Sequence, residues 1–209
     1  MKRKALLDAA QKMSATGLTS GKSGNVSLRT SEGFLITPSA IPYEEMTRMD
    51  LVELDLRSGG VREGRRTPST EWRLHLDLYR ARPEAGAIVH AHSPYATSLS
   101  SLRRDVPAWH YMVAVAGGND IRCAAYATFG TEELSRETQR AMVGRRACLL
   151  ANHGQVAVGS DVTAALRLAE EVEQLCAGYM RALAVGQPVI LDDEEMRRVH
   201  ERFKGYGTV

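Results

Sequence analysis

Apolar residues recur along this chain in two patterns, one with the spacing of helices and one with the spacing of strands. Spacings of three and four residues predict helices at 4–16, 71–82, 94–102, 131–143, 162–183 and 192–206. Short apolar or alternating runs predict strands at 26–29, 33–37, 51–55, 87–91, 112–115, 147–151 and 156–159. Because these elements are mixed without a strict βαβ rhythm, we expect a single domain over residues 1–209. Its predicted fold is α/β, of the α+β type, with a central, largely antiparallel sheet flanked by helices.

The balance of charge argues against a nucleic-acid partner, since 27 basic side chains stand against 25 acidic ones in 209 residues. The basic residues 2–4 lead into an amphipathic pattern instead of an apolar signal core, and no run approaches the roughly 18 apolar residues of a membrane span. Cys123, Cys148 and Cys176 are odd in number and widely spaced, as expected of reduced thiols. We therefore expect a cytoplasmic protein that binds neither nucleic acid nor a membrane.

The first candidate chemistry is the pair His90 and His92, at the end of the predicted strand 87–91. Side chains alternate between the two faces of a strand, so both imidazoles project from the same side. Two imidazoles so placed can bind one Zn²⁺ from a rigid element. The pattern is short, and the alternative is that one histidine merely packs in the core or a loop.

His153 strengthens the metal interpretation because it also follows an apolar run and precedes a glycine at which the backbone can turn. Three histidines leave a coordination position for water or substrate, which is typical of catalytic zinc. His75 lies in a helical pattern and His200 in a charged one, so both are predicted to have surface or packing roles. His110 stays ambiguous because it adjoins Tyr111.

Three loops rich in small residues, at 21–25, 37–40 and 67–71, precede these histidines. Glycines let backbone N–H groups approach an anion, and the third loop opens a predicted helix, whose N-terminus favours negative charge. Each loop alone is weak evidence, since such turns are mostly structural and Ser69 or Thr70 can simply cap the helix. Lys22 adds a positive charge but can equally be a solvated surface residue.

Glu71 occupies the first turn of that helix, where a carboxylate is ordinary because the helix dipole favours it. Beside a zinc site the same carboxylate could bind the metal when substrate is absent. Once substrate displaced it, the group could move a proton on an adjacent carbon. Sequence spacing alone does not establish that proximity.

Taken in order, the motifs resemble those of the class II aldolase/adducin family. They are Ser23-Gly24-Asn25-Val26-Ser27, Ile36-Thr37-Pro38-Ser39-Ala40-Ile41-Pro42-Tyr43, Pro68-Ser69-Thr70-Glu71-Trp72, His90-Ala91-His92 and Asn152-His153-Gly154. The likeness continues through His110-Tyr111-Met112, Ala116-Gly117-Gly118-Asn119, Tyr126-Ala127-Thr128-Phe129-Gly130-Thr131 and Phe203-Lys204-Gly205-Tyr206-Gly207. It therefore covers nearly the whole chain.

The resemblance implies a zinc-dependent aldolase, with Mn²⁺ or Co²⁺ as alternative metals. Such an enzyme reversibly splits L-fuculose 1-phosphate or a related deoxy-ketose 1-phosphate into dihydroxyacetone phosphate and an aldehyde such as L-lactaldehyde. The implied metal ligands are His90, His92, His153 and, before substrate binds, Glu71. The implied phosphate-binding residues are Gly24, Asn25, Ser39, Ala40, Ser69 and Thr70.

The resemblance also implies how the reaction is divided among the side chains. Glu71 is the acid/base at the hydroxymethylene carbon, and Tyr111 protonates the aldehyde oxygen across a subunit interface. Residues expected to shape the aldehyde pocket are Phe129, Phe203 and Tyr206. Members of this kind form homotetramers with active sites between subunits, so a monomer is expected to be an incomplete catalyst.

Three positions depart from the family pattern, one of them only mildly. Ala40 stands where the aldolases carry glycine, and its methyl group is expected to oppose a positive φ or to crowd the phosphate. Asn152 precedes the metal histidine, at a position where some relatives have another histidine. Thr70 replaces a serine but keeps a hydroxyl group, so this change is mild. We interpret these departures as substrate tuning.

Other activities in the same family remain as alternatives. They include salvage aldolases acting on 5-deoxyribulose or methylthioribulose 1-phosphate, sugar-phosphate epimerases and dehydratases. A non-enzymatic adducin-like binding module is disfavoured, because such a module has no use for an open metal site.

Overall fold

The computed structural model describes residues 1–204, and its centre is a sheet of eight strands. The strands are β1 Asn25–Arg29, β2 Gly33–Ile36, β3 Val52–Asp55, β4 Val61–Glu63, β5 Ala87–Ala91, β6 Cys123–Ala124, β7 Ala147–Leu150 and β8 Gly154–Gly159. Their order is β4-β3-β2-β1-β5-β8-β7-β6, and every neighbouring pair is antiparallel except β6 with β7. The expected, largely antiparallel sheet is confirmed.

Helices cover both faces of this sheet. Those in the described residues are α1 Lys2–Ala15, α2 Trp72–Ala81, α3 Pro94–Ser100, α4 Glu132–Ala141, α5 Val162–Val185 and α6 Asp193–Phe203. The apolar cluster on one face includes residues of α1, α3 and α5, and the cluster on the other face includes residues of α2 and α4. Strand alternation supplies both clusters: on β5, Val89 joins the first and Ile88 the second. The resulting fold has three layers, α/β/α.

One predicted strand is wrong, since residues 112–115 lie in a 3₁₀ helix, Tyr111–Ala116. His110 starts this helix by accepting the N–H of Met112 on its Nδ1, and Gly117 ends it with a φ of 97°. A short apolar run does not by itself distinguish a strand from a helical turn. Here the capping residues His110 and Gly117 favour the helical turn.

Two strands at the sheet edges were not predicted. Strand β4 is exposed and charged, and β6 has only two residues, so neither carries an apolar pattern. Helix α6 begins beside its capping residue Asp192, as predicted, while the last two predicted positions, 205 and 206, lie outside the described residues. Among residues 1–204, no helix combines the length and apolar character that crossing a membrane requires.

Strand β5 occupies the middle of the sheet, between β1 and β8, with His90 opposite Asn25 on one side and Val156 on the other. At the β7–β8 turn, Gly154 approaches β5 so closely that a Cβ atom on it would lie 2.4 Å from the Ala91 carbonyl oxygen. Only glycine permits this approach, which brings the residue before it, His153, towards the end of β5.

Candidate active site

His90 and His92 face the same side of β5, as their spacing predicts. Their ring centroids are 4.9 Å apart and their Nε2 atoms 3.0 Å apart. His90 is fully buried, and its Nδ1 lies 2.9 Å from the backbone oxygen of Gln155, which accepts a hydrogen bond from it. That hydrogen bond fixes the ring orientation and leaves Nε2 as the atom able to bind a metal.

The β7–β8 turn adds the third imidazole. The ring of His153 lies 4.8 Å from that of His90 and 4.7 Å from that of His92, centroid to centroid. Asn152 carries the turn with a φ of 54°, a left-handed conformation that asparagine tolerates better than most residues. The three histidines therefore converge on one point from two strands.

Glu71, the residue that precedes helix α2, completes the cluster. Its Oε2 lies 3.1 Å from His90 Nε2 and accepts a hydrogen bond of 3.0 Å from the Asn25 amide. Its Oε1 lies 3.4 Å from His153 Nε2, is buried, and receives no hydrogen bond from the described residues. One ligand atom from each of Glu71, His90, His92 and His153 lies within 4.8 Å of the others. The unsatisfied carboxylate oxygen and this donor set fit a divalent cation such as Zn²⁺.

The pKa values of the three imidazoles in the cluster are shifted in different directions. Burial lowers the pKa of His90, but Glu71 outweighs burial and raises it above its ordinary value. Burial lowers the pKa of His92 to about 4, with the neighbouring His90 and His153 acting in the same direction. Burial and His90 likewise lower the pKa of His153 to about 4, so both rings are neutral at pH 7, the form that binds metals. Burial raises the pKa of Glu71, but His90, His153 and the Asn25 hydrogen bond together hold it below its ordinary value. The carboxylate is therefore ionised.

A cleft of about 510 Å³ opens beside this cluster. All the residues that the family resemblance implied for phosphate line it, namely Gly24, Asn25, Ser39, Ala40, Ser69 and Thr70. Two of the three loops are tied together, because Ser39 N–H donates to the Thr67 oxygen at 3.0 Å and Ser69 N–H to the Thr37 oxygen at 3.1 Å. Strand-like pairing between segments distant in sequence thus joins the loops at one edge of the cleft.

Ala40 adopts a φ of 64°, so its methyl group opposes the left-handed conformation without preventing it. The hydrogen bonds that tie the neighbouring Ser39 to the 67–69 segment hold the backbone in this conformation, and the residue carries the strain. Ala40 itself lines the cleft.

Of the residues that the resemblance implied for binding or protonating the aldehyde, those that the structure describes lie beside two separate cavities. Phe129 lines the metal cleft and is largely exposed. Tyr111 and Phe203 instead stack on each other, with ring centroids 6.4 Å apart, beside a separate cavity of about 310 Å³. Tyr206 lies outside the described residues. Within one chain, Tyr111 and Phe203 are therefore not among the residues lining the metal cleft.

The sequence did not single out Tyr126 and Asn152 as residues lining the cleft, but both do. Arg103 contacts each of them: its Nε donates to the Asn152 Oδ1 at 2.8 Å, and its guanidinium lies 5.5 Å from the centre of the Tyr126 ring. Tyr126 falls within a motif of the family resemblance. Nothing in the local sequence pattern predicts that Arg103 contacts these two residues.

A cluster able to hold a metal lies beside polar loops on a three-layer fold. This combination is typical of a metal-dependent enzyme. The family model described as "Class II Aldolase and Adducin N-terminal domain" matches residues 4–180. The chain belongs to this family.

Relatives and solved structures agree with the assignment. The chain is 51% identical to a 5-methylthioribulose-1-phosphate/5-deoxyribulose-1-phosphate aldolase of Rhodospirillum rubrum, over 98% of this chain and 92% of the relative. It is 47% identical to the L-fuculose phosphate aldolase of Escherichia coli, over 97% and 94%. A solved structure of an L-fuculose 1-phosphate aldolase superimposes with a TM-score of 0.93 at 45% identity, covering 97% of this chain and 96% of that one.

Proposed function

We propose that this protein is a cytoplasmic, Zn²⁺-dependent aldolase that reversibly cleaves a deoxy-ketose 1-phosphate into dihydroxyacetone phosphate and an aldehyde. The observation that carries the proposal is the position of Glu71. Its carboxylate belongs to the metal-binding cluster and also lines the cleft beside the loops proposed to hold phosphate. The metal-binding residues, the proposed base and the loops proposed to hold phosphate are thereby within reach of one small substrate.

His90, His92, His153 and Glu71 are the residues that would hold the metal. When bound, Zn²⁺ supplies a Lewis acid that stabilises the negative charge developing on the substrate oxygens. Three histidines and a displaceable carboxylate would leave a coordination position open on the metal. We propose zinc because a donor set rich in imidazole nitrogens suits it, with Mn²⁺ or Co²⁺ as substitutes.

The chain's own contribution begins with the phosphate. Hydroxyl and backbone groups of the three loops, from Gly24, Asn25, Ser39, Ala40, Ser69 and Thr70, are proposed to hold it. Loop N–H groups and the adjoining start of α2 favour an anion. Anchoring the phosphate places the hydroxymethylene carbon in front of Glu71, and such positioning converts much of the binding energy into rate.

Glu71 is proposed as the acid/base that removes a proton from that carbon in the synthetic direction and returns it in cleavage. The group is ionised, buried and held on one oxygen by Asn25, so a proton acceptor is available at neutral pH. Because the bound metal would stabilise the negative charge that forms, no lysine Schiff base is required.

For the aldehyde, we propose a pocket completed by a second subunit. Tyr111 is half exposed and stacks on Phe203 away from its own cleft, which suits residues that serve a neighbouring copy. Phe129 on the cleft rim, and Tyr206 beyond the described residues, are proposed to complete the pocket. The proposed assembly is a homotetramer in which Tyr111 protonates the aldehyde oxygen of the adjacent site.

Two substrate classes merit direct comparison. One is L-fuculose 1-phosphate. The other is the pair 5-deoxyribulose 1-phosphate and 5-methylthioribulose 1-phosphate, favoured by the 51% identity to an aldolase named for those compounds. All three present the same phosphate and ketone to the cleft and differ in the aldehyde they release.

The test is to incubate zinc-loaded protein with these ketose phosphates and to measure dihydroxyacetone phosphate with a coupled dehydrogenase. Release from at least one substrate, abolished by a chelator and restored by Zn²⁺, is the expected result. Isomerisation or loss of water without carbon–carbon cleavage would replace the proposal with an epimerase or a dehydratase. Protein that binds no divalent metal would favour an adducin-like binding module.

A further inference from the structure

His75 lies four residues after Glu71 and is completely buried, so of the surface and packing roles predicted for it the surface role is wrong. Both side chains contact the amide of Asn25, so His75 and Glu71 lie on the same side of α2. On β1, Asn25 and Ser27 are two apart and therefore also share a face. The two pairs meet in the buried layer between α2 and the sheet.

A continuous chain of hydrogen bonds joins these residues. His75 Nε2 lies 2.5 Å from the Asn25 Oδ1, and its Nδ1 lies 2.6 Å from the Ser27 hydroxyl. The Ser27 hydroxyl lies 2.8 Å from the Tyr79 hydroxyl, and the Asn25 Nδ2 donates to Glu71 Oε2 at 3.0 Å. All of these contacts are buried, so no exposed group competes for them.

The chemistry of the groups assigns each proton. An ionised carboxylate only accepts hydrogen bonds, so Asn25 presents its NH₂ to Glu71 and its oxygen to His75. His75 must then donate from Nε2. Its Nδ1 accepts from Ser27, which accepts in turn from Tyr79. Burial lowers the pKa of His75 to about 3, which agrees with a neutral ring carrying a single proton.

We propose that His75 is a positioning residue for the carboxylate of Glu71, acting through the amide of Asn25. Its Nε2–H holds the Asn25 oxygen and so keeps the amide from rotating by half a turn. A rotated amide would present its oxygen to Glu71 Oε2, and two acceptors facing each other repel. With His75 in place, Oε2 keeps its donor and Oε1 stays directed at the histidine cluster. The consequence for proton transfer rests on the proposed function, whereas the consequence for metal binding does not.

The experiment compares two neutral replacements that differ in reach. In His75→Gln, the amide nitrogen can take the position of Nε2 and still donate to Asn25. In His75→Asn, the shorter amide can replace only the contact with Ser27. His200→Asn is the matched control, because His200 Nε2 also contacts an asparagine oxygen, that of Asn119 at 3.0 Å, outside the metal cleft.

Each purified variant is first checked for folding by circular dichroism and thermal unfolding. Co²⁺ affinity is then measured from the visible absorption of the bound ion in competition with a chelator, which needs no substrate. In zinc-loaded protein, the exchange of the hydroxymethylene proton of dihydroxyacetone phosphate with deuterated solvent is followed by NMR.

For His75→Asn we expect Co²⁺ affinity and proton exchange to fall by about 10–100-fold, the usual effect of losing a group that supports a metal ligand. His75→Gln should recover most of both quantities, and His200→Asn should match the unmodified protein. The proposal is overturned if folded His75→Asn retains full Co²⁺ affinity. It is also overturned if His75→Gln is as impaired as His75→Asn. In that case the donor to Asn25, which only the longer glutamine can supply, does not matter.

Failure of the proposed function would look different. In that case the unmodified, zinc-loaded protein exchanges no proton of dihydroxyacetone phosphate, while the order of Co²⁺ affinities among the variants still tests His75.

Discussion

Gly24 passes so close to strand β5 that a Cβ atom on it would lie 2.6 Å from the carbonyl oxygen of His90. The φ of Gly24 is 71°, in the left-handed region. The loop that carries a proposed phosphate-binding residue is therefore packed directly against the strand that carries two proposed metal ligands. A side chain at this position must displace either the loop or His90.

We expect Gly24→Ala to be more destabilising than an alanine placed elsewhere in a left-handed conformation. The conformation alone costs about 1–2 kcal/mol, and the contact with the His90 oxygen adds to it. The matched control is Gly21→Ala in the same loop, where φ is 62° and nothing lies within 4 Å of the added Cβ. Urea unfolding measures both variants, and equal losses would show that the close contact relaxes freely. Binding of inorganic phosphate should weaken in Gly24→Ala.

Glu71→Gln should retain zinc on the three histidines but lose the proton transfer. An acid/base group of this kind contributes about 10²–10⁴-fold to rate, so exchange of the dihydroxyacetone phosphate proton should fall by that amount. Metal content by elemental analysis and exchange by NMR measure the two effects separately. Unchanged exchange in zinc-loaded Glu71→Gln would remove the residue from the proposed role.

Tyr111→Phe should separate the two halves of the reaction. Loss of the hydroxyl should reduce carbon–carbon cleavage by about 10²-fold or more, as expected for a lost general acid, while proton exchange changes little. Tyr95→Phe is a control, because the Tyr95 hydroxyl contacts Arg181 at the surface. Equal losses of cleavage and exchange in Tyr111→Phe would contradict the proposed division of roles.

Ala40→Gly should raise stability slightly. Removing the methyl group relieves a left-handed strain of about 1–2 kcal/mol in the folded state. Glycine also makes the unfolded chain more flexible, which lowers the free energy of unfolding by about 0.4–1 kcal/mol. We therefore expect a net gain of about 0.5–1 kcal/mol in the free energy of unfolding, read from urea titration. A loss of stability would mean that the methyl group makes packing contacts worth more than the strain.

Removing the metal should lower thermal stability in a way that depends on metal concentration. A ligand that binds only the folded state stabilises it by about 2.7 kcal/mol when present at 100 times its Kd. Differential scanning calorimetry with a chelator, and again after Zn²⁺ is restored, measures this difference. His92→Ala should lose most of the zinc-dependent increment, and His200→Ala should keep it. Equal increments in the two variants would show that His92 is not a ligand.

Much of this site could be predicted from local patterns because the relevant periodicities are short. The spacing of two residues on a strand was enough to put His90 and His92 on one side. The apolar run before His153 and the glycine after it indicated a second strand end. The sheet and its main helices followed from their apolar spacing, whereas the 3₁₀ helix at Tyr111–Ala116 did not, because capping by His110 outweighed the apolar run.

The role of His75 was harder to predict. Its helical pattern indicated only a surface or packing role. The amide of Asn25 connects it to Glu71, and Asn25 is 50 residues from His75 in the chain. No pattern within a single element reveals such a contact.

The sequence by itself determined which residues are available and which face of its own element each occupies, since helix and strand geometry act over a few residues. Tertiary structure alone decided that Glu71 lies 3.1 Å from His90, that the 37–40 and 67–71 loops join at one edge of the cleft, and that Tyr111 stays outside it. The physical reason is that these distances depend on strand register and on helix packing against the sheet. Those are set by the burial of the whole core, to which each local segment contributes only a part.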